Sequence, residues 1–197
     1  MTTTTLVSIV VLALLVFWAV GAHNRLIRLK NTIANAFGQI DVQLKRRYDL
    51  IPNLVEAAKK YLSHESSTLE AVMAARNQAQ GASDAVRSRP ANADAVVALG
   101  SAEQALQGSL WRFFAVAEAY PELKADRTIR ELSEELTSTE NKVAFARQAY
   151  NDTVLDYNNA QEQFPALLIA ALFSFKPAAV LQATESAAER QSVRISL

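Results

Sequence analysis

Residues 6–22 (LVSIVVLALLVFWAVGA) make one uninterrupted apolar run, and no charge-free stretch of comparable length occurs again in the chain. As a helix rising roughly 1.5 Å per residue it is about 25 Å long, at the short end of what crosses a bilayer core. The rest of the chain is polar enough for water, so the run predicts a single membrane-spanning anchor carrying one water-facing domain. A cleaved signal peptide is the alternative, and it calls for a basic segment ahead of the run and a small-residue cleavage site after it. No Lys or Arg stands in residues 1–5, although Val20-Gly21-Ala22 passes as a weak cleavage site, so the flanks favour a retained anchor. Arg25, Arg28 and Lys30 follow the run and no basic side chain precedes it. Basic flanks stay cytoplasmic, which predicts a short outer N-terminus over residues 1–5 and a cytoplasmic domain over residues 23–191, with a loose tail over 192–197.

Composition narrows the function classes. Lys plus Arg equals Asp plus Glu at 20 each, a charge balance that argues against general nucleic-acid binding. Cys is absent, which removes disulfides, thiolate metal sites and cysteine nucleophiles together. The five Gly include no phosphate-cradling GxGxxG or GxxxxGK pattern. Ala, Leu, Glu, Gln and Arg abound while β-branched runs outside residues 6–22 are scarce, so the expected fold is all-α.

The periodicity supports that expectation. Ile129, Leu132, Leu136, Thr139, Val143, Ala146, Tyr150, Thr153, Tyr157, Ala160 and Phe164 alternate spacings of three and four, one face of a helix about 50 Å long. Val96, Leu99, Glu103, Leu106, Leu110, Phe113, Ala117 and Tyr120 repeat the pattern, with Pro90 in the first turn and Pro121 ending the helix. A third stripe runs from Leu26 through Ile33, Ile40, Leu44, Arg47, Ile51 and Leu54 to Tyr61, making the anchor and the first bundle helix one rod. Pro52 either kinks that rod or restarts it behind Asp49. The stripe keeps phase across it, which favours the kink. After a break at residues 63–67 the stripe resumes at Leu69, Val72, Arg76 and Ala79. Residues 80–93 (QGASDAVRSRPANA) carry Gly, Ser and Pro with little periodicity and read as the main exposed loop. The sum is an N-terminal transmembrane helix followed by an antiparallel, four-helix-bundle-like domain. Residues 166–175 belong to a second apolar segment too short to span. Packing on the bundle is the favoured reading, with docking at the membrane surface as its rival, and residues 178–191 are compatible with a further short amphipathic helix.

Catalytic and metal constellations are not assembled by these residues. A di-iron bundle site needs Glu-x-x-His on two helices, and neither His23 nor His64 has Glu three positions before it. The two histidines lie about 60 Å apart along the rod, too far to share a zinc ion. No serine sits in a GxSxG elbow. The expectation is a non-enzyme with no cofactor. The charges on the apolar stripes are the informative polar residues. A charge inside a bundle is costly unless paired, so Glu103 or Glu140 should meet Arg47, Arg76 or Arg147 across helices, while spacing pairs Asp41 with Lys45. Such a network most simply fixes helix register, and its second reading is a site for a partner or small ligand. Arg25, Arg28 and Lys30 fall at headgroup level, where they serve orientation and lipid contact. Ala13, Ala19, Gly21 and Ala22 lack GxxxG spacing, which leaves homo-oligomerisation open.

The segment NAFGQIDVQLKRRYDLIPNLV over residues 35–55 is similar almost residue for residue to the signature of the LemA family of bacterial membrane-anchored proteins. Residues 119–125 (AYPELKA), Glu140-Asn141, Arg147, Tyr150-Asn151, Tyr157-Asn158, Phe164-Pro165 and Phe173-Ser174-Phe175 fit the same pattern. Phe37 stands where Trp is common in the family and His23 where Tyr is common; residues 87–93 are idiosyncratic. The resemblance implies an N-terminal anchor, a cytoplasmic bundle of long antiparallel helices and no assigned catalytic residue. It also implies an envelope-associated role: some members lie near genes for a membrane metalloprotease, and a relative in magnetosome-forming bacteria is linked to membrane-organelle formation. From the residues and the resemblance together the expected function is a membrane-anchored interaction or scaffold protein. Its partners are the bilayer and other membrane proteins, and the rival expectation is a membrane-remodelling or lipid-sensing module.

Overall fold

The computed structural model describes residues 3–182. The tail over 192–197, most of the helix expected over 178–191, and the first two of residues 1–5 lie outside them. Residues 3–5 already belong to the first helix. The described residues form six helices: α1 (Thr3–Lys59), α2 (Ser66–Ser88), α3 (Ala93–Ala117), α4 (Pro121–Ala125), α5 (Arg127–Glu162) and α6 (Ala166–Leu172).

The 57 residues of α1 make a rod about 85 Å long. Its apolar window has a mean hydropathy of 2.6 and is 0 % buried, so it is long and apolar enough to cross a membrane. From Leu26 to Ala58 the same helix becomes the spine of the bundle, burying Ile33, Phe37, Ile40, Leu44, Ile51 and Leu54. Pro52 lies within it and does not restart it. A proline cannot donate to the carbonyl four residues back, here that of Tyr48, and the Arg76 Nε–H of α2 takes that place, donating to Tyr48 O at 2.9 Å. The unbroken stripe and this borrowed donor together explain why the rod survives its proline.

Local signals set the other boundaries. Asn92 caps α3 by accepting from the Ala95 N–H at 2.8 Å, which leaves Pro90 ahead of the helix and not in its first turn. Pro121 opens α4, and α3 has already ended at Ala117. Asp126 caps α5, accepting from the Thr128 and Ile129 amides at 2.9 and 3.2 Å. The exposed loop expected over residues 80–93 is corrected: α2 continues to Ser88, leaving four residues before α3. Ser83 and Val86 are buried against α1 and its neighbours, and Arg87 reaches Asp41, so packing outweighs the weak local preference of this Gly- and Ser-bearing stretch.

The long helices alternate in direction. α1 packs along α5 and α2, and α2 along α3, whereas α3 and α5 stand apart. Tyr150, Tyr157 and Phe113 fill the centre with the α1 side chains. Near the end of the apolar run the chain turns through α6 and past Ser174, whose φ of 53° is left-handed. Residues 176–182 then descend along α5 as an extended strap entering the space between α3 and α5. Of the two readings for residues 166–175, packing on the bundle is met by Ile169 and Ala170, which are buried, while Leu167, Leu168, Leu172 and Phe173 remain exposed. Phe164, read as the last member of the α5 stripe, is 82 % exposed because α5 ends at Glu162.

Candidate functional site

The candidate site is built on Arg47, which the stripe of α1 carries into the bundle interior. Its side chain is 5 % exposed; one terminal nitrogen lies 2.8 Å from Glu103 of α3 and the other 2.9 Å from Glu140 of α5. Tyr48 Oη donates to the second Glu103 oxygen at 2.5 Å. Burial raises the Glu103 carboxyl above its usual value, helped by the Glu140 charge, while Arg47, the Tyr48 hydroxyl and Arg147 oppose the rise. Burial, then the Glu103 charge, likewise pushes the Tyr48 phenol up, so it stays a donor throughout the physiological range. One guanidinium thus ties together three helices, two of which do not otherwise pack against each other.

The other charges expected in this network divide. Arg147 lines the cleft beside Glu103 and Glu140 and acts on Glu103 through its field, without an ion pair among the described residues. Arg76 is used at the Tyr48 carbonyl and does not meet either glutamate. Asp41 does not pair with Lys45: Arg87 of α2 holds both its oxygens at 2.8 Å, and Ser83 Oγ donates to it at 3.2 Å. The physical reason is geometry. Lys45 points to solvent on the outer face of α1, whereas the planar fork of Arg87 arrives across the helix interface with both donors aligned. Arg46 of α1 pairs with Glu135 of α5, and Lys60, just past α1, pairs with Asp126, the residue that caps α5. Arg25, Arg28 and Lys30 are exposed just beyond the apolar run and form no ion pair among the described residues.

Above the cluster α3 and α5 diverge. The strap over residues 176–182 fills the half nearer the apolar run. Tyr157 Oη donates to Lys176 O at 3.0 Å and Tyr150 Oη to Ala179 O at 3.2 Å. Asn158 exchanges two hydrogen bonds with the backbone of Ala178, and Asn151 two with that of Leu181, at 2.8–3.1 Å. Burial pushes the Tyr150 phenol up to about 12. The seven-residue spacing of the two Tyr-Asn pairs puts both amides on one face of α5 two turns apart, each pairing with an extended backbone as a neighbouring strand would. Sequence reasoning saw these pairs only as part of a resemblance, and their repeat was the signal that could have revealed the clamp.

Farther from the apolar run, the described residues of α3 and α5 line a groove. Its cavity of about 310 Å³ is lined by Arg47, Gln107, Leu110, Trp111, Phe114, Leu136, Thr137, Glu140 and Asn141. Trp111 is 69 % exposed at its rim, a residue that sequence analysis did not single out because it lies off the apolar stripe. Among the described residues no three His, Asp or Glu side chains converge as metal ligands. The arrangement offers an aromatic wall and two side-chain amides beside a paired ion cluster.

A sequence model of the LemA family matches residues 36–197. The chain belongs to the LemA family. A curated relative, Protein LemA of Metamycoplasma hominis, is 26 % identical over 177 residues, spanning 90 % of this chain and 76 % of the relative. The family match includes every residue of the ion cluster, the Tyr-Asn clamp and the strap, and it begins after the apolar run.

Proposed function

We propose that this LemA-family protein is a non-catalytic interaction protein anchored in the bacterial cell membrane, which captures an extended segment of a partner protein in the groove between α3 and α5. α1 carries the reading: one helix is wholly unburied over its apolar window and then becomes the spine of a well-packed bundle. Water-soluble monomers rarely expose an apolar surface of that extent, whereas lipid accommodates it. Arg25, Arg28 and Lys30 favour a cytoplasmic bundle. The groove takes a peptide as its neighbouring half already does. Gln107 and Asn141 supply amides as Asn151 and Asn158 do for the strap, and Trp111 with Phe114 supplies the aromatic contact on which docking energy concentrates.

The test uses the full chain in cells with a photoreactive phenylalanine analogue at Trp111 and, as the control, at Val42, which is exposed on α1. The expected outcome is an adduct from Trp111 only, mapped by mass spectrometry to one sequence of another protein, in a membrane fraction that resists alkaline carbonate. A Trp111 adduct to residues 183–197 of the same chain, or none, refutes the partner site. Release of the protein by carbonate refutes the anchor.

A further inference from the structure

We propose that Phe164 and the outer face of α6 form a membrane-interface foot, lying at the boundary between headgroups and acyl chains of the bilayer that α1 enters; this rests on the anchor reading above. The patch is large and apolar: Phe164 is 82 % exposed, Leu168 60 %, Leu172 73 % and Phe173 54 %. Residues 164–175 carry no charge. Leu168 and Leu172 are one helical turn apart and share an exposed face, while Ile169 and Ala170 pack on the bundle, so the exposed face cannot turn inward without uncovering them.

Its position identifies the occupant. α6 is held against the part of α1 where the apolar run ends: Ala170 packs with Leu26 and Ala160, the Phe173 ring lies 4.5 Å from the His23 ring, and Phe164 and Ala166 share a cavity of about 310 Å³ with Trp18 and Gly21. The exposed face of Phe164 therefore adjoins the apolar surface of α1, and Leu168 and Leu172 extend the exposed apolar surface along α6. If residues 6–22 span, these side chains stand at the cytoplasmic edge of the hydrocarbon. The run supplies about 25 Å of a core about 30 Å thick, and the foot adds apolar surface at the edge where the anchor falls short. Arg25, Arg28 and Lys176 are exposed around it, as expected for side chains reaching headgroup phosphates. A helix of two turns lies in an interface and does not cross it. The foot thus gives the bundle a second attachment beside α1, which fixes its tilt and rotation relative to the membrane where a single helix leaves both free.

The absence of Cys allows one probe per molecule. Leu12→Cys, Val42→Cys, Leu168→Cys and Leu172→Cys alter only exposed side chains. Each full-length variant carries an environment-sensitive fluorophore in vesicles of phosphatidylcholine and phosphatidylglycerol, and is quenched by nitroxide-bearing lipid or by aqueous iodide. The expected result is that nitroxide lipid diminishes emission at positions 12, 168 and 172 while iodide diminishes it at position 42. Lipid quenching at 12 with iodide quenching at 168 and 172 refutes the foot and leaves the anchor standing. Iodide quenching at position 12 as well refutes both. Protection of 168 and 172 from both quenchers assigns the face to a protein, either a second copy or a partner, and overturns the lipid assignment.

Discussion

Replacing Arg47 with methionine keeps an unbranched apolar stem and removes the guanidinium that joins α1, α3 and α5. Its two carboxylate partners do not suffer equally. Glu140, with a side chain 35 % exposed, retains access to water, whereas Glu103, 16 % exposed, keeps only the Tyr48 hydroxyl. Stranding a buried charge costs about 3–5 kcal/mol, and most of that falls on Glu103. At about 2–4 °C per kcal/mol for a chain of this size, Arg47→Met lowers Tm by about 6–20 °C, read by circular dichroism on the full-length protein in detergent at pH 7. The loss depends on pH in a defined direction. Burial already raises the Glu103 carboxyl, and removing Arg47 takes away the largest influence opposing that rise. A carboxyl raised in the folded state favours folding below its unfolded value, here the ordinary 4.5, and loses that contribution as pH climbs through the folded value. The gap between Arg47→Met and the parent therefore narrows as pH falls toward 4.5 and widens toward neutrality. Adding Glu103→Leu removes the stranded charge and recovers part of the loss, even though Tyr48 then lacks its acceptor. An unchanged Tm at pH 7, or a double variant as unstable as the two single losses added together, refutes the stranded-charge reasoning.

Three further outcomes follow from the contacts. Asn151→Ala removes both hydrogen bonds to Leu181, so amide exchange at Leu181 accelerates by about 30-fold, the equivalent of two bonds at about 1 kcal/mol each, while Ile40 and Leu44 keep their protection; unchanged exchange at Leu181 refutes the clamp. Asp126→Ala removes the α5 cap and the partner of Lys60 and Tyr61, lowering Tm at pH 7. The Lys60 and Tyr61 contacts hold the Asp126 carboxyl well below its ordinary 3.8, so its contribution is present above that value and lost as pH falls further, and the difference in Tm closes on acidification below it. Gly100→Ala adds a Cβ at ordinary contact distance, 3.8 Å, from Leu181 Cδ1 in the interior of α3, and raises Tm by about 1–4 °C through helix propensity; a lowered Tm would show the strap and α3 closer than described.

Helices and their inward faces were legible because they depend on neighbours three and four residues away. The α5 stripe from Ile129 to Ala160 points inward as its spacing requires, and the stripe through Pro52 kept its phase in one continuous helix. That Glu103 or Glu140 would meet an arginine followed from the cost of an unpaired buried charge, and of the three candidates the structure selects Arg47. Two readings failed for a shared reason: the loop expected over residues 80–93 became helix, and Asp41 chose Arg87 over Lys45. Both outcomes depend on which face of α2 lies against α1, and no local pattern encodes that.

The sequence alone determined the class of the molecule, all-helical with an apolar rod at one end, because hydropathy and periodicity act along a single helix. It also determined which charges had to find partners. Only the tertiary structure decided who those partners are, that Arg76 replaces the donor missing at Pro52, that the Tyr-Asn pairs clasp the strap, and that α6 stands beside the end of the apolar run. Each of these joins residues far apart in the chain, and their meeting is set by helix packing and register, quantities that exist only after the bundle has closed.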